Sequence, residues 1–335
     1  MLLPSSLLRL PIPRDLIEGG IAYAVRSLPH TFDRMGGSPY DRLRRIVAGV
    51  AVELAFRRHL SQLEIPYEVT GATPFTDPDR YDVSLGGHRC DVKSFLISHR
   101  EQIQSLRSTP HLLLETPALV PLDQYAAEGH RDDDIYLFAF VTGLLASAQR
   151  DLQKALAAGQ PLHLINALPK EWSKPLNWNP LGTLALKSDC NASVTVELNG
   201  QTEDREFVTE TLVLPPRTRV EAETKFFALS AVHVQSPPDG RVAVHSPARR
   251  DTHVIHPLEW GNIWVYGMDI FLAGWIPREE FRRRADLIRE GTRVFQFEQT
   301  RTKNLAVPIR ELHPLDDLFE KVKGWEKKRS ASHHP

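Results

Sequence analysis

Residues 81–95, YDVSLGGHRCDVKSF, restrict the possible folds more than any other stretch of the chain. Gly86-Gly87 is a two-residue turn signal of the kind that closes tight hairpins. Folding about it pairs Leu85 with His88, Ser84 with Arg89, Val83 with Cys90 and Asp82 with Asp91. Strand side chains alternate, so Lys93 shares a face with Asp91, while Tyr81, Val83, Leu85, Cys90 and Val92 turn to the other, core-facing side. Two carboxylates placed opposite each other repel by roughly 0.2–1 kcal/mol. A hard divalent cation between them removes that objection, because oxygen ligands are what Mg²⁺ takes.

A helix precedes the hairpin. In Ser38-Pro39-Tyr40-Asp41 the serine caps, the proline takes the first helical position and the aspartate sits in the first turn. The helix, about residues 39–62, is predicted to bury the stripe Leu43, Ile46, Val47, Val50 and Leu54. Glu53 follows Ile46 by seven residues, which returns it to within about 20° of that side chain. A carboxylate therefore borders the buried face, one turn after Gly49. By itself this is an ordinary border glutamate on an amphipathic helix.

Further along, 67–69 reads as a short strand and 99–106 as a polar helix. The nearly unbroken apolar run DIYLFAFV, 134–141, reads as a strand covered on both sides. Residues 146–158 read as a helix. From 162 to 262 the texture changes to short β-type runs at 183–187, 193–198, 207–214, 226–234, 242–245 and 253–255. Turn signals at Asn199-Gly200 and Pro237-Pro238-Asp239-Gly240 separate them, a spacing that suggests a sandwich or small barrel. IWVYGMDIFLAGWI, 263–276, is strand-like again; 277–290 reads as a helix stopped by Gly291, and a strand near 307–309 and a closing helix finish the chain. The runs 134–141 and 268–276 are expected to be strands of one sheet, with the β-rich material inserted between them. The expected organisation is a first core part over 1–161, a β-rich insertion over 162–262, a completing core part over 263–325 and a charged tail over 326–335.

Composition excludes several function classes. The net charge of −1 gives no general affinity for polyanions, so nucleic-acid contact requires local patches. Candidates are Arg42, Arg44 and Arg45; Arg249 and Arg250; Arg282, Arg283 and Arg284; and Lys327, Lys328 and Arg329, each of which singly reads as a solvated face or tail. The two cysteines, Cys90 and Cys190, form neither metal spacing nor a disulfide framework. The opening MLLPSSLLRLPIPRD lacks a long apolar core and a cleavage site, and no run suffices to span a bilayer. A cytoplasmic, soluble protein with reduced thiols is expected.

The acidic pair suits phosphodiester cleavage, which needs charge neutralisation at the phosphoryl group, an aimed water and a cation for the extra negative charge. Asp82 and Asp91 supply metal ligands, the Val92 carbonyl is adjacent, Glu53 can reach a second metal or its water, and Lys93 is the candidate water-positioner. The pattern Gly49-x-x-x-Glu53, then Asp82, then Asp91-Val92-Lys93 resembles the PD-(D/E)xK nuclease superfamily, over roughly residues 41–95. The resemblance implies a restriction-endonuclease-like α/β fold, a mixed sheet flanked by helices, here with an inserted all-β sandwich-like domain. It also implies Mg²⁺ (or Mn²⁺) dependence, metal binding by Asp82 and Asp91, metal or water support from Glu53, and a catalytic role for Lys93. One departure is that the family's Pro-Asp is Tyr81-Asp82 here; a literal Pro78-Asp79 lies in the preceding loop, out of register.

Other residues carry less. His88 and His99 flank the site, and Gln102 and Gln104 follow it on a polar helix. His253 and His256 have poor metal spacing, and Trp172, Trp178, Trp260, Trp264 and Trp275 read as core or, alternatively, as a stacking platform. No nucleophile elbow or phosphate-binding glycine loop occurs. Two functions compete. The first is a metal-dependent DNA endonuclease of restriction or defence type, with RNA as an alternative substrate, working as a homodimer and open to control by a regulatory protein partner. The second is a non-catalytic nucleic-acid- or partner-binding protein on a nuclease-like core.

Overall fold

The computed structural model describes residues 2–28, 38–69, 82–127 and 129–332. Tyr81 and the Pro78-Asp79 pair lie outside the described residues. In chain order the elements are β1 (Leu8–Pro11), α1 (Arg14–Ser27), α2 (Pro39–Gln62), β2 (Val83–Leu85), β3 (His88–Ile97), α3 (Arg100–Ser108), β4 (Pro117–Pro121), α4 (Leu122–Tyr125) and β5 (Ile135–Leu145). There follow α5 (Gln149–Ala157), β6 (Leu164–Ala167), α6 (Lys170–Ser173), β7 (Gly182–Ser188), β8 (Val194–Thr202), β9 (Phe207–Leu214), β10 (Arg219–Val234), β11 (Val242–Ser246), β12 (Asp251–Ile255) and β13 (Gly261–Asn262). The chain closes with β14 (Val265–Pro277), α7 (Arg278–Arg284), β15 (Asp286–Ile288), β16 (Asn304–Pro308) and α8 (Leu315–Ser332). The fold is mixed α/β. It forms two compact units, one of residues 1–20, 48–144 and 266–335, the other of 21–47 and 145–265. No helix among the described residues is long and apolar enough to cross a membrane.

The first unit is built on a five-stranded sheet of order β1-β14-β5-β3-β2, so the runs around 134–141 and 268–276 are neighbouring strands. The sheet is mixed: β3 runs parallel to β5 from Cys90↔Ile135 to Ile97↔Thr142, and β2 is antiparallel to β3. The first nine residues of β5 are buried, as a central parallel strand requires. Tyr136, Phe138 and Phe140 from β5 pack with Ile103 and Leu106 of α3 and Phe281 of α7. Each such fully buried aromatic or aliphatic side chain contributes about 1.5–3 kcal/mol. A second, three-stranded sheet has the order β15-β16-β4.

The hairpin has the register its glycines dictate, with Val83↔Cys90, Ser84↔Arg89 and Leu85↔His88. Gly86 and Gly87 both have positive φ, 58° and 87°, the region a tight turn demands and glycine adopts without strain. A side chain at Gly86 would also meet the Cβ of Trp325 on α8 at 2.7 Å. The Trp325 ring lies 4.0 Å from that of His88, and Arg329 reaches Glu68, so the expected charged tail is helix as far as Ser332 and covers the turn.

Four expectations about the elements themselves change. On α2, Ile46, Val50 and Leu54 are only half-buried, while Ala48, Ala51, Val52, Ala55 and Phe56 join Leu43 and Val47 in the core, because the helix is covered around most of its circumference. The strand expected at 67–69 is a single bridge, Glu68↔Ser84. The helix expected over 277–290 stops at Arg284, since residues 286–288 pair with 304–306 and that pairing overrides local helix preference. Asn199-Gly200 is not a turn; both residues lie inside β8. A Cβ at Gly200 would stand 2.2 Å from the Ala228 carbonyl, so glycine is there to let β10 approach at a bulge.

In the second unit the β-rich strands form one hydrogen-bonded antiparallel sheet of eight strands, with the path β12-β11-β7-β10-β6-β13 and the β8–β9 hairpin added through β10. The 16-residue β10 is the branch point, pairing with β7 through its first half and with β8 and β6 through its second. Arg44, counted above in a basic patch, is buried: its Nε donates to the Asn262 carbonyl and it pairs with Asp41.

Candidate metal centre

Asp82 sits one residue before β2 and is held at three points. Its amide donates to the Cys90 carbonyl (3.0 Å), its own carbonyl accepts from the Arg57 guanidinium (2.8 Å), and its Oδ2 accepts from the Val92 amide (2.6 Å). Ahead of Val83, where β2 begins, the Val92 N–H donates to the Asp82 carboxylate. A strand residue's N–H and C=O point to the same edge, so the Val92 carbonyl faces the same side as Asp82. The expected cross-strand pairing of Asp82 with Asp91 is thus replaced by a carboxylate folded onto the edge of β3.

Two more acids act on this group. Burial is the largest cause raising the Asp82 carboxyl well above the ordinary carboxylate range, and the negative charges of Glu53 and Asp91 come next. The Val92 amide and the Lys93 charge oppose the rise without cancelling it. Burial and the same two aspartates, Asp82 and Asp91, also raise the Cys90 thiol, which makes it an inert core group.

The acids arrive from different directions. A Cβ on Gly49 would lie 3.4 Å from Ser94 Oγ, so α2 meets β3 on the face of Ser94. Alternation puts Asp91 and Lys93 on the opposite face. Glu53, one turn beyond Gly49, and Asp91 therefore act on Asp82 from opposite faces of the sheet. Each has a cation of the chain beside it: Asp91 Oδ2 is 2.7 Å from Lys93 Nζ, and Glu53 Oε2 is 3.8 Å from Arg57. Among the described residues no group of three or more His, Cys, Asp and Glu side chains is arranged to hold a metal ion. The donor chemistry nevertheless suits a hard divalent cation, since all the candidate donors are oxygens and one carboxyl is raised by the other two.

Two members of this cluster were not visible in the sequence. Arg57 bridges Glu53 and the Asp82 backbone, and Gln124 of α4 accepts from Lys93 Nζ at 3.1 Å. Arg57 lies four residues after Glu53, a spacing at which helical side chains meet. Gln124 had no local signal, because only the fold brings it to Lys93. The flanking candidates have structural partners: His88 Nδ1 donates to the Asp133 carbonyl, Gln102 donates to the Phe295 carbonyl, and His253 bonds Asn166. His99 sits at the start of α3 without a side-chain cap bond. Trp172, Trp260, Trp264 and Trp275 are core, whereas Trp178 is 78% exposed. No protein-family model matches the chain, and no curated protein matches it.

Proposed function

We propose that this chain is a divalent-metal-dependent endonuclease that hydrolyses DNA phosphodiester bonds, on a restriction-endonuclease-like core. One observation carries the reading: Asp82 accepts from the Val92 amide at the edge of β3 and is raised by burial and by the charges of Glu53 and Asp91, with Lys93 Nζ 2.7 Å from Asp91. Strongly perturbed acids of this kind cluster where a ligand compensates them.

Asp82, Asp91, the Val92 carbonyl and Glu53 would hold a magnesium or manganese ion, which would supply charge neutralisation at the phosphoryl oxygens. Lys93 orients the attacking water with an N–H donor and adds positive charge where negative charge develops. Arg57 ties Glu53 to the Asp82 backbone and so fixes the spacing of the two acids. Cutting both strands with one such centre calls for a two-fold homodimer.

A second reading, a binding protein on an inactive core, has its own support: no group of three ligands stands ready among the described residues. Plasmid DNA incubated with Mg²⁺ or Mn²⁺ separates the two, with an RNA substrate alongside. Cleavage by the wild type that disappears in Asp91→Ala and Lys93→Ala is the expected result. Binding without cleavage, unchanged in both variants, supports the second reading instead.

A further inference from the structure

We propose that Gln124 is a positioning residue for the Lys93 ammonium, an inference that rests on the nuclease reading. Lys93 Nζ lies between two acceptors, Asp91 Oδ2 at 2.7 Å and Gln124 Oε1 at 3.1 Å. A lysine side chain loses rotamer freedom when it is fixed, and one flexible contact leaves the ammonium free to swing. Two acceptors on separate strand and helix elements define a position.

Gln124 is itself firmly placed. The segment bearing it, α4, is tied at its start by the Leu122 amide to the Lys303 carbonyl (2.9 Å). At its end the Tyr125 carbonyl accepts from Arg278 (2.6 Å), whose guanidinium also covers the Tyr125 ring at 4.3 Å. A mobile loop could not hold a reacting group to the tolerance that catalysis requires.

The chemistry explains why a glutamine stands here. Asp91 is needed as a ligand oxygen, so its grip on Lys93 competes with that duty. Gln124 offers a neutral carbonyl: it accepts from the ammonium without adding a fourth negative charge to a cluster in which Asp82 is already raised by Glu53 and Asp91. When Asp91 serves the ion, Gln124 is the contact that keeps Lys93 in line.

Two measurements on the full-length wild type, Gln124→Ala and Gln124→Glu test this. The first is amine acylation of the metal-free proteins, read by mass spectrometry at Lys93 with Lys323 as internal control. Gln124→Ala is expected to raise Lys93 acylation severalfold and leave Lys323 unchanged, while Gln124→Glu keeps Lys93 protected. The second is plasmid cleavage kinetics, where Gln124→Ala is expected to lower kcat by about tenfold to a hundredfold with KM little changed. Circular dichroism melting of each variant shows that the fold is kept, and the protected Gln124→Glu serves as the folded control if the alanine variant melts early. A cleaving wild type with Lys93 acylation and kcat both unchanged in Gln124→Ala overturns the role of Gln124 alone. A wild type that does not cleave with either metal overturns the nuclease reading, and the positioning role with it.

Discussion

Each unit sets an acid among charged neighbours, and the two acids are pushed in opposite directions. In the first unit burial, Glu53 and Asp91 raise the Asp82 carboxyl. In the second, Glu197 of β8 is lowered, above all because His233 Nδ1 meets its Oε2 at 2.6 Å. His233 Nε2 is in turn 3.0 Å from His163 Nδ1, and the His163 ring stacks on both His233 and Trp264. Both histidines are nearly enclosed, at 4% and 7% exposed. A carboxylate whose neighbours are donors stabilises the fold that surrounds it. One whose neighbours are other carboxylates destabilises that fold until something from outside offsets the charge. The Glu197 relay therefore reads as framework, and the Asp82 cluster as the place where the proposed ion would offset charge.

The largest expected effect comes from Asp82→Asn, which keeps the shape and an acceptor for the Val92 amide but removes the charge. Plasmid cleavage should fall by about a hundredfold or more. Thermal stability at neutral pH should rise at the same time, by about 1–2 kcal/mol, since a strained functional group is being relieved. The pH dependence has a definite sign. The folded-state value of Asp82 lies above its unfolded value, so the folded protein holds that proton more tightly, and stability falls as pH rises from the ordinary carboxylate range through the folded value. The asparagine variant should gain most above that range. A lower melting temperature in Asp82→Asn would make the carboxylate a mere cap for β3 and end the contrast between the units.

A cation titration gives the next effect. Mg²⁺ or Mn²⁺ binding only the folded state stabilises it by RT ln(1 + [L]/Kd), about 2.7 kcal/mol at a hundredfold excess over Kd. The wild-type melting temperature should rise with added metal, and the rise should vanish in Asp82→Asn and persist in Glu197→Gln. Calorimetry without a metal-dependent shift would remove the ion from the site.

The hairpin was legible because its signal is local. Two glycines set the turn, the turn set three cross-strand pairs, and alternation placed Cys90 and Val92 inward. The start and end of α2 were legible for the same reason: Ser38 Oγ accepts from the Asp41 amide as a capping serine does, and the helix spans Pro39–Gln62. What escaped depends on partners far along the chain. Gly200 looks like a turn residue until β10 is laid against it, and residues 286–288 look helical until 304–306 pair with them. Gln124 and Lys93 are 31 residues apart, and Glu197 and His233 are 36. No periodicity links such pairs. Sequence alone also could not tell that Asp82 would turn its carboxylate onto the Val92 amide, because that depends on β2 beginning only at Val83.

Glu197→Gln should have the smallest effect and the opposite slope. Glu197 is held below its ordinary value, chiefly by His233, so its contribution is present above the unfolded carboxylate range and is lost as pH falls through the folded value. A charge-assisted hydrogen bond is stronger than a neutral one, but Glu197 is only half-buried and solvent screens it, so the substitution should cost about 1 kcal/mol at neutral pH. Chemical denaturation at neutral pH and again well into the acid range measures both substitutions on one scale. On acidification the Glu197→Gln deficit should shrink, because the wild type loses the same bond by protonation. Over the same interval the Asp82→Asn advantage should also shrink, because the wild-type carboxyl becomes neutral. The two variants thus converge on the wild type from opposite sides as acid is added. Convergence from the same side would mean that both acids are framework, and the edge of β3 would lose its claim to be a site.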